Sequence, residues 1–290
     1  MPDLPQAAPP ISSPTGPIAV LPKGAVDAHV HMVADDLPLW ERRVEDPAPG
    51  GLDDWLSRFE HHLATLGLEH AVIVHSILYG GDNTVTTETV RRMGARARGI
   101  CLVTDDATDA ELDDLAAKGT AGVRLNYVHG GLLSWEGAEA LAPRLAERGM
   151  HIQMLLHTHQ HMLGIEEDIR ALPVPVCLDH IGWPDLSLGL EEPGFQALLR
   201  LVGEGDVYVK LSGIYRVADA PYEAANAAVA RLAGANPERC VWGSDWPHLM
   251  LADAKQPNAG VLLNAFLEAV PSEAARQTIL VDTPTYLYGF

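Results

Sequence analysis

The sequence predicts a single (β/α)8 barrel. Three observations carry this reading: short apolar or β-branched runs alternate with segments of helical period from Ala25 onward, there are eight such runs, and 290 residues hold eight units within one domain. The runs are 25–31, 70–76, 98–104, 121–127, 151–157, 174–180, 207–213 and 239–245. Strands that alternate with helices pair in parallel through crossover connections. An open doubly wound sheet is the structural alternative, but it usually carries a glycine-rich phosphate loop after its first strand. Here that place holds His-Val-His.

Residues 1–22 read as an irregular arm, since Pro2, Pro5, Pro9, Pro10, Pro14, Pro17 and Pro22 leave little room for regular structure. Residues 23–290 form the barrel. In the first strand, Val26-Asp27-Ala28-His29-Val30-His31, strict alternation puts Asp27, His29 and His31 on one face and Val26, Ala28 and Val30 on the other. In the first helix, 53–66, Trp55, Leu56, Phe59, Leu63 and Leu66 follow the helical period, and Gly67 stands at the stop. Thr108 and Glu111 make a capping box ahead of Leu112, Leu115 and Ala116, with Gly119 as terminator. Ala138, Leu141, Ala142 and Leu145 form the next stripe, ended by Gly149. On the fifth strand Gln153, Leu155 and His157 share a face, opposite Ile152, Met154 and Leu156. Pro193 suits the first turn of a helix carrying Phe195, Leu198, Leu199 and Val202; Pro221 opens another, and Ser272 caps the last. Two connections are long, 32–52 and 181–192. Both follow strands, hence lie at the catalytic face of a barrel, and both are candidate lids.

Composition limits the partners. With 39 acidic against 20 basic residues the formal charge is −19, which argues against nucleic acid or an anionic membrane surface. An anionic substrate would need arginines of its own. Cys101, Cys177 and Cys240 lie in apolar runs and read as buried free thiols. The N-terminus has no basic region followed by an apolar run, so no signal peptide is expected. No apolar stretch reaches the ~18–20 residues of a membrane span, and the cytoplasm is the expected compartment. Nothing in the residues specifies an oligomeric state.

Polar residues gather where the strands end. The first strand supplies His29 and His31, the second His75 and Ser76, the fourth Arg124 and Asn126, the fifth His157, the sixth His180, and the eighth Asp245, while Arg216 follows the seventh. Singly, each has an ordinary explanation as a cap or a satisfied core residue. Together they bring imidazoles, a carboxylate and guanidiniums to one rim of one barrel, a composition that activates water and holds an anion.

Val-Asp-Ala-His-Val-His, Leu-Asp-His-Ile-Gly and Gly-Ser-Asp-Trp-Pro-His, in this order and spacing, resemble the motifs of the amidohydrolase superfamily and more narrowly of its lactonase branch. The resemblance spans roughly residues 22–290. It implies hydrolysis of a small carboxylated lactone, with Asp245 as general base and His29, His31 and His180 polarising the carbonyl. It further implies that Arg124 and Arg216 clamp substrate carboxylates, a task suited to a bidentate guanidinium. Ser76, Tyr127 and His157 are expected as secondary substrate contacts, and Arg216, in a strand-end loop, ranks ahead of Arg124 as the free clamp. No cofactor is expected. The alternative within the superfamily is a zinc-dependent hydrolase or decarboxylase that uses His29, His31, His180 and Asp245 as ligands. Isomerase relatives carry Gln at the His29 position, which tilts the reading toward hydrolysis over lactone isomerisation. A non-catalytic binding protein on the same scaffold ranks last.

Overall fold

The structure, a computed structural model, describes residues 4–252 and 254–290. All eight expected strands form: β1 Val26–Val30, β2 His70–Val74, β3 Ala97–Cys101, β4 Thr120–Asn126, β5 His151–Leu155, β6 Val176–Leu178, β7 Val207–Leu211 and β8 Cys240–Trp242. Each pairs in parallel with the next, in the order β1 to β8. The ring closes where Val30 bridges Trp246: His31 N donates to Trp246 O (2.7 Å) and Asp245 N to His29 O (2.9 Å). The helices between them are α1 Leu52–Leu66, α2 Thr84–Met93, α3 Asp109–Ala117, α4 Trp135–Ala146, α5 Leu163–Ala171, α6 Pro193–Glu204, α7 Glu223–Ala235 and α8 Ala259–Ala269. The chain ends in α9 Glu273–Gln277 and α10 Thr283–Tyr288. No helix among the described residues is long and apolar enough to cross a membrane.

The local signals place most of these elements. The Thr108 hydroxyl accepts from Glu111 N while the Glu111 carboxylate takes the Thr108 amide, so two orphan donors are satisfied at the start of α3. Pro193 stands in the first turn of α6. Pro221 does not open α7: Tyr222 lies between them in the left-handed region (φ +67°), so the helix starts only at Glu223. Ser272 caps α9, and α10 follows through one wider turn. In α2 the Thr and Val content hides the helical stripe, yet Val85, Thr86, Thr89, Val90 and Met93 form its buried face.

Alternation sorts the strand residues into two layers. Val123 and Leu125 of β4, and Ile152 and Met154 of β5, pack outward against the helices, as the fifth-strand pattern requires. Val72, Val74, Ile100, Ala121, Cys177, Tyr208 and Val241 fill the barrel, whose interior Leu287 and Tyr288 of α10 join, with Phe290 packed against it. All three cysteines are free and buried. Burial pushes the Cys101 and Cys177 thiols up to about 12, which leaves them inert.

Strict alternation fails in β1. Asp27 pairs with Ala71 but Val30 with Ile73, so β1 spends one extra residue against β2. The bulge resets parity. Val26 and Ala28 point into the barrel and Val30 outward. Asp27 reaches the other way, with its carboxylate 3.3 Å from His62 Nε2 of α1 and accepting from Ser244 N (2.8 Å). His29 and His31 therefore both face inward without sharing a face with Asp27.

Candidate active site

At the C-terminal mouth of the barrel His29, His31, His180 and Asp245 converge. Asp245 Oδ1 lies 3.3 Å from His31 Nε2 and 3.6 Å from His29 Nε2, and Oδ2 lies 3.8 Å from His180 Nε2. The backbone bonds that close the barrel also set this geometry, since Asp245 N is held by His29 O. Asp245 and His180 take left-handed backbone (φ +61° and +54°), a local cost of about 1–3 kcal/mol each, and such strain clusters at functional sites. Asp245 Oδ2 accepts from Tyr215 OH (2.6 Å), Arg216 Nε (3.0 Å) and Arg216 Nη2 (2.9 Å). Its Oδ1 is buried without a hydrogen-bond partner among the described residues.

Each imidazole is also held from behind. His31 Nδ1 is 2.8 Å from Val74 O; a carbonyl only accepts, so the proton is on Nδ1 and a neutral His31 presents a lone pair at Nε2. His180 Nδ1 meets Ser212 Oγ at 3.0 Å. His29 Nδ1 lies 3.3 Å from Asp179 Oδ1 and 3.4 Å from Lys210 Nζ. Lys210 is fully buried and donates to Ala28 O (2.9 Å) and Gln153 Oε1 (2.5 Å), and Gln153 Nε2 in turn donates to Asp179 (3.1 Å).

These contacts set the charges. Burial alone would raise the Asp245 carboxyl, but the Arg216 guanidinium, then His180, hold it well below the usual carboxylate range. Burial brings His180 down to about 4, against the pull of Asp245 and Asp179, and takes His29 well below its ordinary value. Burial also lowers Lys210, with Asp179 opposing. At neutral pH the site is thus a carboxylate beside neutral His29 and His180.

Above this floor is a cavity of about 570 Å³. His31 and His180 form its base, and Arg42, Arg43, Arg124 and Arg216 line its walls. Among the described residues no Asp or Glu lines it, although the chain as a whole carries −19. The β1 loop supplies Trp40, Arg42, Arg43 and Val44, whereas the loop after β6 supplies Trp183.

A family model described as Amidohydrolase matches residues 26–290. The chain belongs to the amidohydrolase family. It is 34% identical over 282 residues to a 4-sulfomuconolactone hydrolase of Rhizobium radiobacter, covering 93% of this chain and 91% of that protein. It is 29% identical over 293 residues to a 2-pyrone-4,6-dicarboxylate hydrolase of Comamonas testosteroni, covering 96% and 94%. An apo crystal structure from Agrobacterium tumefaciens superposes with a TM-score of 0.82 at 25% identity, covering 97% of this chain and 99% of that one. The chain is accordingly a hydrolase of the amidohydrolase superfamily.

In this amidohydrolase the two arginines divide differently from their order in the sequence. Arg216 is not free: besides Asp245 it binds Met250 O (3.3 Å) and Leu249 O (3.0 Å). Arg124 donates to His75 O (3.1 Å) and lies 3.7 Å from Asp179, while its Nε is buried without a partner among the described residues. Three expected contacts fall outside the cavity lining. Ser76 Oγ caps a short turn at Leu78 N, Tyr127 packs against Trp135 and His161, and His157 packs against Trp183 and stacks on His159. Sequence reasoning missed Asp179, Lys210, Gln153 and Tyr215. Asp179 stands inside the Leu-Asp-His motif, and Lys210, in Val-Tyr-Val-Lys-Leu, is a charge on the inward face of a buried strand, which is the signal that marks it.

Two glycines make room for the imidazoles. A Cβ on Gly213 would lie 2.5 Å from the His180 ring at a φ of +64°, and one on Gly243 would lie 2.6 Å from His29 Cβ. Gly213→Ala should therefore displace His180 and lower kcat by about 10²-fold, the order of loss that a shift of roughly 1 Å within an active site brings. Steady-state kinetics beside a melting curve checks this; unchanged kcat in the folded variant would remove His180 from the reaction.

Proposed function

We propose that this amidohydrolase opens a small lactone that carries an anionic substituent. One observation carries the reading: in a strongly acidic chain, four arginines and, among the described residues, no acid line the cavity above its His/Asp floor. The lactone hydrolases among its relatives support the reaction class. In the reaction, water adds to the acyl carbon and Asp245 takes its proton. A carboxylate held this low is a weak base, but water becomes strongly acidic as its oxygen bonds to carbon, so a weak base suffices. His180, with Ser212 donating to Nδ1, presents Nε2–H to the developing oxyanion. The acyl–oxygen bond of the ring then breaks, and Asp245 returns the proton to the leaving oxygen. The product is an open hydroxy acid with one new carboxylate.

The donor set also fits one divalent ion. His29, His180 and Asp245 offer ligand atoms within 4.8 Å of one another. The His29 Nε2, His31 Nε2 and Asp245 Oδ1 separations of 3.3, 3.3 and 3.6 Å approach the roughly 3.4 Å edge of a tetrahedron with ~2.1 Å bonds. Zinc there would be held by His29, His31, His180 and Asp245 and would supply Lewis-acid polarisation of the carbonyl and a more acidic water. The His29 tautomer separates the two forms of the site. If Asp179 accepts Nδ1–H, three lone pairs converge and call for a cation. If Lys210 donates to Nδ1, His29 Nε2–H can donate to His31 Nε2, and Asp245 Oδ1 is left facing the cavity floor as the acceptor for water. Part-buried Arg216 and buried Lys210, close to these same groups, oppose a further dication.

A lactone panel with and without chelator tests the proposal. Anionic lactones should be opened with release of one proton each, and activity should survive chelation. Stoichiometric zinc with activity lost on its removal and regained on its return would establish the zinc form. An isomeric lactone as product, or no turnover of any anionic lactone, would overturn hydrolysis.

A further inference from the structure

The proline-rich arm takes part in no catalytic step, yet it is built into the loop that walls the cavity. Its residues 5–7 run parallel to the β1 loop at a single bridge, Gln6 to Asp46. Asp46 N donates to Pro5 O and Ala7 N to Asp46 O, both at 2.8 Å, and the Ala7 side chain is buried in the core. Farther along, Asn258, the N-cap of α8, and Asn264 within it hold the arm: Thr15 N donates to Asn258 Oδ1 (3.0 Å), Ile18 N to Asn264 Oδ1 (2.9 Å), and Asn264 Nδ2 to Gly16 O (3.1 Å). A Cβ on Gly260 would fall 1.7 Å from Thr15 O, so the helix leaves that space open for the arm. The arm therefore runs from α8 to the β1 loop.

What it grips there is the support of an arginine. Asp46 Oδ1 accepts from Arg43 Nε (2.6 Å), and Arg43 Nη1 donates to Trp40 O (3.0 Å). Among the described residues Arg43 Nη2 makes no hydrogen bond, and Arg43 lines the cavity. The neighbouring Glu45 accepts from Met250 N (2.7 Å), and Met250 O is one of the carbonyls holding Arg216. The loop is thus pinned on one side to the β8 loop and on the other to the arm.

We infer that the arm is a positioning strap for substrate selection: by pairing with Asp46 it fixes Arg43 at the cavity wall, where Arg43 meets an anionic group of the substrate. The inference rests on the reading of the cavity as a site for anionic lactones. The physical gain is preorganisation. A loop rich in Pro and Gly that had to order on binding would lose that entropy from the affinity, whereas a strapped loop has lost it on folding.

Point variants of the full chain test it. Ala7→Pro removes the N–H that Asp46 O accepts, Asp46→Asn removes the charge that orients Arg43, and Arg43→Gln removes the guanidinium itself. Each should raise KM for an anionic lactone about tenfold with kcat within twofold, and selectivity over an uncharged lactone should fall by the same factor. The Ala7→Pro/Arg43→Gln double variant should be no worse than Arg43→Gln alone, because the arm acts through Arg43. Calorimetry with isophthalate, a planar dicarboxylate that cannot be hydrolysed, should show the same tenfold weakening. An unchanged KM, additive effects in the double variant, or a fall in kcat alone would overturn the strap. If the wild type binds isophthalate with this dependence but opens no lactone, the hydrolytic reading fails and the strap stands; if it binds no anion at all, the strap falls too.

Discussion

Asp245→Asn is expected to lower kcat by about 10³-fold, within the range for a positioned proton-transfer group and equal to roughly 4 kcal/mol of transition-state stabilisation. Asparagine keeps the shape of the side chain and cannot take a proton from water. The change also removes the counter-ion of Arg216, whose Nε and Nη2 both donate to Asp245 Oδ2. Breaking a buried ion pair from one side costs about 3–5 kcal/mol, so the variant should melt well below the parent. KM should stay within about threefold, because Asp245 lies beneath the cavity and His31 and His180 line it. Single-turnover kinetics on folded variant, at a temperature below its melting onset, measures the chemical step. Residual activity above a tenth of the parent would remove Asp245 from proton transfer.

Arg124→Met should chiefly raise KM for anionic lactones, by about 30- to 1000-fold, the equivalent of roughly 2–4 kcal/mol for truncating one side of a desolvated charge pair. The methionine keeps much of the volume and loses every donor. Arg124 lines the cavity, and among the described residues its one hydrogen bond runs from Nη1 to His75 O, so its Nη2 is left to meet a ligand. Arg216→Met should behave differently and lower kcat, since its guanidinium is committed to Asp245 and to the carbonyls of Leu249 and Met250. Kinetics on paired anionic and uncharged lactones decides this. If Arg124→Met leaves the preference for the anionic member unchanged, the cavity does not select charge through Arg124.

The barrel was legible because its signals are local. Eight apolar runs separated by helical stripes need only short-range periodicity, and capping at Thr108 and the entry of α6 at Pro193 depend on neighbours a few residues away. The four floor residues were legible too, since a parallel barrel gathers every strand end at one mouth whatever lies between them. Three features were beyond that reach. The bulge in β1 turns on pairing with β2, so alternation within the strand put Asp27 on the face of the histidines when it packs toward His62. The loop position of Arg216 spoke for freedom, and only the approach of Asp245 from β8 showed the guanidinium already engaged. Lys210 and Gln153 come from β7 and β5 and Asp179 from the end of β6, and no spacing along the chain announces that their side chains meet behind His29. Residue type and local period determined the scaffold and the inventory of its mouth. The pairing of distant strands decided which polar groups satisfy one another and which stay free, because a buried donor or acceptor takes the nearest partner in space, not in sequence.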